Sequence, residues 1–279
     1  MKIRFAVCLL LLLITGVIRG DDKAQVKSAV KPAGKIRVLL LGDSTVVGSV
    51  CRLTNPKGDH LEDVVRKLLA AEDDLPEVEV VNRGVDGDTI HRMLADRYER
   101  DVVKQLPYDF VFTRFGLNDF RGLKSFKTEY PANYKKLIGR LRSDRPQAEI
   151  VLETVIPYLG EASDRAIIEQ VRAVAAAEKL PVLDQYSPYA AELKHGINSL
   201  SYRRKQLQEI PKKYHALIPR ESFQGPTVYV MDNLLDVHFG SLPGWYADRH
   251  PNLAGYQVIG KQLAGYLARR IREKAKAAK

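Results

Sequence analysis

The chain has 279 residues, 45% of them apolar, enough to bury the core of one large domain or at most two small ones, and no internal repeat or low-complexity tract argues for more. Its two cysteines exclude a disulfide-stapled scaffold. A net charge of +10 leaves anionic polysaccharide, a membrane face or nucleic acid open as attractions, but much of it crowds into "ARRIREKAKAAK" at the end, where a solvated helix terminus explains it better.

Taken in chain order, the first feature is "MKIRFAVCLLLLLITGVIRGDDK", where Lys2 and Arg4 precede an apolar run that ends in small and charged residues. This is the outline of a secretory signal peptide over residues 1–20, and it predicts a secreted or periplasmic protein with no stable membrane insertion once the signal is cleaved. The alternative, an uncleaved anchor helix, is disfavoured because the run is short for a bilayer. Three cations and no acid lie in residues 1–20, so the charge is +7 without them. Cys8 lies in the same segment, which leaves Cys51 with no disulfide partner. Residues 21–35 mix Lys, Ser, Ala, Pro and Gly without periodicity and read as a linker, with one domain over 36–279.

Five short apolar runs follow, at 36–42, 77–84, 109–116, 149–156 and 181–184, each short and β-branched or aromatic enough to be a buried parallel strand. Helical patterns separate them at about 60–73, 89–106, 131–145 and 162–179, the last with Ser163 or Asp164 as its expected cap. A closing helix begins after "HPN", its stripe formed by Leu253, Tyr256, Ile259, Leu263, Leu267 and Ile271. The alternation predicts an α/β protein, a three-layer α/β/α sandwich around a five-stranded parallel sheet. Residues 185–247, rich in Tyr and broken by five prolines, interrupt the rhythm and predict an insertion or cap, with a helix near 199–210 and a strand at "PTVYVM".

In an open parallel sheet, ligands bind beyond the carboxyl ends of the strands. Gly42-Asp43-Ser44 follows the first strand, "NRGVDGDT" the second and "GLND" the third, and "ADRHPN" precedes the closing helix. A phosphate loop would need a Lys after Gly48, which is followed by Ser49, and a GxSxG elbow would need a glycine where Val46 stands. On its own, Ser44 fits a helix cap as well as a nucleophile. A nucleophilic serine needs a base and oxyanion donors: His250 could be the base, Asp248 its orienting acid, and Gly87 N–H and the Asn118 amide the donors.

Together these segments resemble the SGNH, or GDSL-type, serine hydrolase family. Gly42-Asp43-Ser44 matches its first block, Asn82, Gly84, Gly87 and Thr89 its second, Gly116, Asn118 and Asp119 its third, and His250 its histidine. The resemblance implies a flavodoxin-like SGNH hydrolase fold. It also implies a catalytic Ser44 and His250 with an aspartate to orient the histidine, and an oxyanion hole from Ser44, Gly87 and Asn118. One departure stands out: the family's aspartate usually lies three residues before the histidine, where this chain has Ala247, and Asp248 lies two before. Residues two apart in an extended segment share a face, so Asp248 could still meet the imidazole, with Asp232, Asp236 or a backbone carbonyl as alternatives.

The expected function is a secreted serine esterase acting on carboxylic, above all acetyl, esters of carbohydrate, with Trp245 and Tyr246 beside the histidine as sugar-stacking candidates. The alternatives are an O-acyltransferase using the same serine and a non-catalytic carbohydrate-binding protein on the same fold. No metal is expected, because His and carboxylates do not cluster at ligand spacing, and no cofactor or nucleic-acid partner is expected either.

Overall fold

The computed structural model describes residues 34–196, 199–233 and 235–277. The expected signal peptide at 1–20 and nearly all of the expected linker at 21–35 lie outside the described residues. Strands β1 (Lys35–Gly42), β2 (Glu77–Gly84), β3 (Phe110–Arg114), β4 (Glu149–Glu153) and β5 (Val182–Leu183) form one sheet in the order β2-β1-β3-β4-β5, and every pair is parallel. These segments are strands because both of their faces are covered. In β1, Val38 and Leu40 enter one apolar core while Leu39 and Leu41 enter the other, and β3 and β4 divide their side chains the same way.

One face is closed by α3 (Leu61–Ala70) and the closing helix α10 (Leu253–Ala277). A Cβ on Gly260 would stand 2.5 Å from Val64 Cγ1, so the missing side chain sets how closely these two helices approach. The other face is closed by α6 (Phe126–Asp144) and α7 (Glu161–Glu178), together with the segment after β2. That segment opens as α4 (Ile90–Arg92), capped by Thr89 Oγ1, and widens into π-type turns over Met93–Arg97 and Glu99–Val103.

Two helix starts differ from expectation. Helix α6 begins at Phe126, a full turn before Pro131, because Phe126 stacks on Tyr130 and lengthens a stripe that continues through Tyr134, Leu137, Ile138 and Leu141; that burial outweighs the hydrogen bond the proline removes. Helix α7 is preceded by Gly160 instead of being capped by Ser163 or Asp164; the Asp164 carboxylate, inside the first turn, reaches back to the N–H groups of Tyr158 and Leu159, each at 2.9 Å.

The insertion contains α8 (Tyr186–Glu192), strands β6 (Arg203–Gln206), β7 (Phe223–Gln224) and β8 (Thr227–Val230), and α9 (Asp236–Phe239). Its strands make an antiparallel sheet in the order β6-β8-β7 around a separate core of Ile210, Ile218, Val228, Val230, Phe239 and Trp245. The helix expected near 199–210 is therefore replaced over 203–206 by a strand. Pairing with β8 satisfies that backbone, while buried Arg203 lays its guanidinium on the Asp236 carboxylate. The expected strand at "PTVYVM" is β8. No helix among the described residues is long and apolar enough to cross a membrane.

Candidate active site

The strand order reverses between β1 and its neighbours β2 and β3, and the register places Gly42 beside both Gly84 and Arg114. The loops after three strands therefore leave the sheet at one level, at the switch point where such folds bind ligands. Gly42 and Gly84 permit this packing: a Cβ on Gly42 would overlap Val46 Cγ2, and one on Gly84 would lie 2.5 Å from Val47 N.

Ser44 begins the short helix α1 (Ser44–Val47), and buried Asp43 is the cap, its carboxylate accepting Thr45 N–H at 2.9 Å and the Thr45 hydroxyl at 2.7 Å. The chain turns at Gly48, in the left-handed region at φ 66°, and enters α2 (Ser49–Thr54). Beneath the turn, buried Arg114 donates to Thr45 O at 2.8 Å and to Glu153 at 3.2 Å. Burial raises both Asp43 and Glu153 from their ordinary values, against the pull of Arg114.

Ser44 Oγ lies 2.9 Å from His250 Nε2, and His250 Nδ1 lies 2.7 Å from Asp248 Oδ1. Asp248 meets the ring despite its shortened spacing because the same Oδ1 accepts the backbone N–H of His250 at 2.9 Å, a local turn that folds a carboxylate onto the residue two ahead. Its Oδ2 accepts from Arg204 of β6, through Nε at 2.6 Å and through Nη2. Burial pushes Asp248 upward, but the hydrogen bond and charge of His250, with help from Arg204, hold it below its ordinary value. The alternative Asp236 is occupied by Arg203 and the Trp245 indole N–H.

The other wall is the turn after β2 and the start of α5 (Leu117–Gly122). Gly87 has φ 68°, a conformation that glycine adopts without a Cβ penalty. Asp88 is buried with Arg97, whose guanidinium also holds Asp101 at 2.8 Å and Arg83 O at 2.7 Å, so the turn is tied from behind. The Asp88 carbonyl accepts one N–H of the Asn118 amide at 3.0 Å, which leaves the second for the cavity. Asp119 points inward to accept Ile90 N–H at 3.1 Å; burial first, then the charges of Asp43 and Asp88, push it up to about 7.

Ser44, Gly87, Asn118 and His250 line one cavity of about 440 Å³. Its remaining walls include Asp86, Arg121, Tyr158, Tyr202, Arg204 and Tyr229. The Tyr158 hydroxyl is 3.0 Å from both ring nitrogens of His250. The in-plane directions of those nitrogens are taken by Asp248 and Ser44, so the hydroxyl sits over the ring face. Burial, reinforced by the charge of Asp248, pushes Tyr158 up to about 12, which keeps it a neutral hydroxyl. Tyr202 stacks parallel to the imidazole with ring centres 5.7 Å apart.

Trp245 and Tyr246 do not line this cavity. Trp245 is only 1% exposed, packs against Phe239 and donates to Asp236 Oδ1 at 2.7 Å, so it belongs to the core of the insertion. Tyr246 packs beside Gly240, with Arg203 over its ring. Tyr158, Arg121 and Arg204 went unread in the sequence. The first two follow strands β4 and β3 and were open to the same reasoning as Ser44, whereas nothing local marks Arg204. The two side-chain N–H groups of Asn252 in "HPN" are shared among Ser199 O, Ser201 O and Met231 O, and its Oδ1 accepts Gly255 N–H, so it caps α10 and ties the insertion to the histidine loop. No cluster of three His, Cys, Asp or Glu side chains suited to a metal occurs among the described residues.

The architecture has solved counterparts. An acetylxylan esterase, Axe2, from Geobacillus stearothermophilus superposes with a TM-score of 0.51 at 19% identity, covering 84% of this chain and 94% of its own. A putative GDSL-like lipase from Parabacteroides merdae gives 0.51 at 16% identity, covering 81% and 93%. An α/β hydrolase from the metagenome of Lake Arreo gives 0.52 at 20%, covering 82% and 94%. At these identities the likeness establishes the fold. No curated protein matches the sequence. The family model of the GDSL-like lipase/acylhydrolases matches residues 40–258, a span that takes in Ser44, the second and third motif loops and His250. The chain belongs to the GDSL-like lipase/acylhydrolase family and is a serine hydrolase of carboxylic ester bonds.

Proposed function

We propose that this esterase is exported and removes short acyl groups, acetyl above all, from carbohydrate, with Ser44, His250 and Asp248 as its catalytic triad. The observation that carries the reading is the hydrogen-bonded chain from Ser44 Oγ through His250 to Asp248, opening into the cavity that Gly87 and Asn118 also line. Ser44 Oγ attacks the ester carbonyl as its proton passes to His250 Nε2, and Asp248 holds the ring in the required tautomer. The N–H groups of Ser44 and Gly87 and the second Asn118 N–H receive the oxyanion. As the tetrahedral intermediate collapses, the acyl C–O bond to the sugar breaks and the imidazolium gives its proton to the departing sugar oxygen; water, deprotonated by the same imidazole, then attacks the acyl group and releases the acid from Ser44.

The preference for a short acyl group follows from the cavity wall, where Val50 is the one aliphatic side chain among the lining residues. A long acyl chain gains binding free energy by leaving water for apolar surface, and this wall offers little of it. Tyrosines and hydrogen-bonding groups suit a sugar better. Export rests on the N-terminal sequence, residues 1–20. The test uses 4-nitrophenyl esters of increasing chain length together with acetylated xylan, the substrate named for the Geobacillus neighbour. Acetate should have the highest kcat/KM, and acetate should be released from the glycan; a preference for octanoate would overturn the carbohydrate reading.

A further inference from the structure

Beside the catalytic cavity lies a second depression of about 520 Å³, and the two share Arg121, Tyr158 and Arg204 as their common wall. A substrate whose ester carbonyl sits at Ser44 therefore passes into this compartment if it extends beyond Tyr158. Its outer lining adds Lys205, Glu209, Asp248 and Arg249.

The charges here divide into paired and unpaired. Arg204 is committed to Asp248, and Lys205 lies 3.3 Å from Glu209. Among the described residues, Arg121 and Arg249 have no carboxylate within ion-pair distance, and both are exposed. Arg121 stands with its guanidinium 5.8 Å from the centre of the Tyr158 ring, a position that orients the group at the mouth between the two compartments. Arg249 feels Asp164 at longer range, but that carboxylate is engaged by the Tyr158 and Leu159 N–H groups. Exposed Asp86 lines the catalytic cavity but not the second depression. The second compartment thus holds two guanidinium groups outside any ion pair, while its own carboxylates, Glu209 and Asp248, are engaged by Lys205 and Arg204, and the two guanidinium groups lie along the route out of the catalytic cavity.

Resting on the esterase reading above, we propose that the second compartment binds a carboxylate-bearing sugar, so that the preferred substrate is an acetylated glycan containing uronic acid. A guanidinium offers a planar fork of N–H donors that matches a carboxylate, and a pair of such forks beside tyrosine rings recognises both the charge and the sugar face. A neutral glycan offers both cations only hydroxyl acceptors and no charge to match.

Binding to the Ser44→Ala protein separates this inference from catalysis. Calorimetric titration compares an unesterified oligouronate with a neutral xylo-oligosaccharide of equal length. The oligouronate should bind about ten-fold tighter at low salt, a difference expected of one or two charge-assisted contacts. That preference should collapse in about 0.5 M NaCl, where the screening length is a few ångströms, and in the Arg121→Gln/Arg249→Gln double variant. Wild-type enzyme should show the same order in kcat/KM on the two acetylated glycans. Equal affinities, or a preference that survives the double variant, would overturn the proposal. Failure of the esterase reading looks different: wild-type protein would not hydrolyse 4-nitrophenyl acetate, whatever the binding data show.

Discussion

Asp248 serves four N–H groups with two oxygens, since Oδ1 accepts both the backbone N–H and Nδ1–H of His250, and Oδ2 accepts Nε–H and Nη2–H of Arg204. An asparagine there cannot satisfy all of them. With its amide nitrogen facing Arg204 it meets a cation, and with the amide turned over it presents N–H groups to Nδ1 and favours the wrong tautomer. Asp248→Asn is therefore expected to lower kcat on 4-nitrophenyl acetate by on the order of a thousand- to ten-thousand-fold, with the fold retained by circular dichroism; a loss of less than ten-fold would assign the role elsewhere. The shortened spacing to the histidine was visible in the sequence, but the local turn that makes it workable was not, because it depends on a backbone N–H donating to its neighbour's side chain. Asn118 was legible from its place after β3, whereas its orientation depends on Asp88, a contact 30 residues away in sequence.

At the scale of elements, the insertion does more than flank the site. Residues 201 and 202 pair with the histidine loop, through the bridge between Ser201 and Pro251 and the bond from Tyr202 N–H to His250 O at 3.3 Å. Strand β6, which follows directly, then carries Arg204 to Asp248. This sheet is held by a small core in which Trp245 is the largest side chain. Trp245→Ala should therefore destabilise the insertion by about 3–5 kcal/mol, read as faster proteolysis within residues 207–226 and as a fall in kcat as Tyr202 and Arg204 lose their positions. A sugar-stacking Trp245 would instead raise KM for oligosaccharides and leave proteolysis unchanged. The strands of the main sheet were readable because burial on two faces leaves unbroken apolar runs. Those of the insertion were not, since "RRKQ" has no apolar pattern and is fixed as a strand by β8, more than 20 residues later.

Across the whole molecule, much of the positive charge is balanced close by. Arg270 and Lys274 of α10 meet Glu149, Arg269 and Arg270 meet Glu273, and Arg272 meets Glu72 and Asp74, so the basic end of the chain is largely a network of ion pairs. The strain runs the other way beneath the site, where Asp43, Asp119 and Glu153 are buried carboxylates with raised pKa values. For Asp119, the folded state keeps its proton up to about pH 7, while the unfolded chain releases it near 3.8. Folded protein thus binds the extra proton between those values, and stability falls as pH rises through that window. Relative to Asp119→Asn, which has no proton to lose, the wild type should lose up to about 4 kcal/mol between pH 4 and 7, measured by urea unfolding at both ends. A stability difference independent of pH would place the titration elsewhere.

In the proposed mechanism, three loops of one sheet and the loop before α10 converge to make Ser44 a nucleophile. Treatment with a fluorophosphonate followed by peptide mass mapping tests it most directly. A single adduct on Ser44 is expected, absent in Ser44→Ala and formed far more slowly in His250→Ala. An unmodified Ser44 in the wild type, or an adduct that persists in Ser44→Ala, would contradict it.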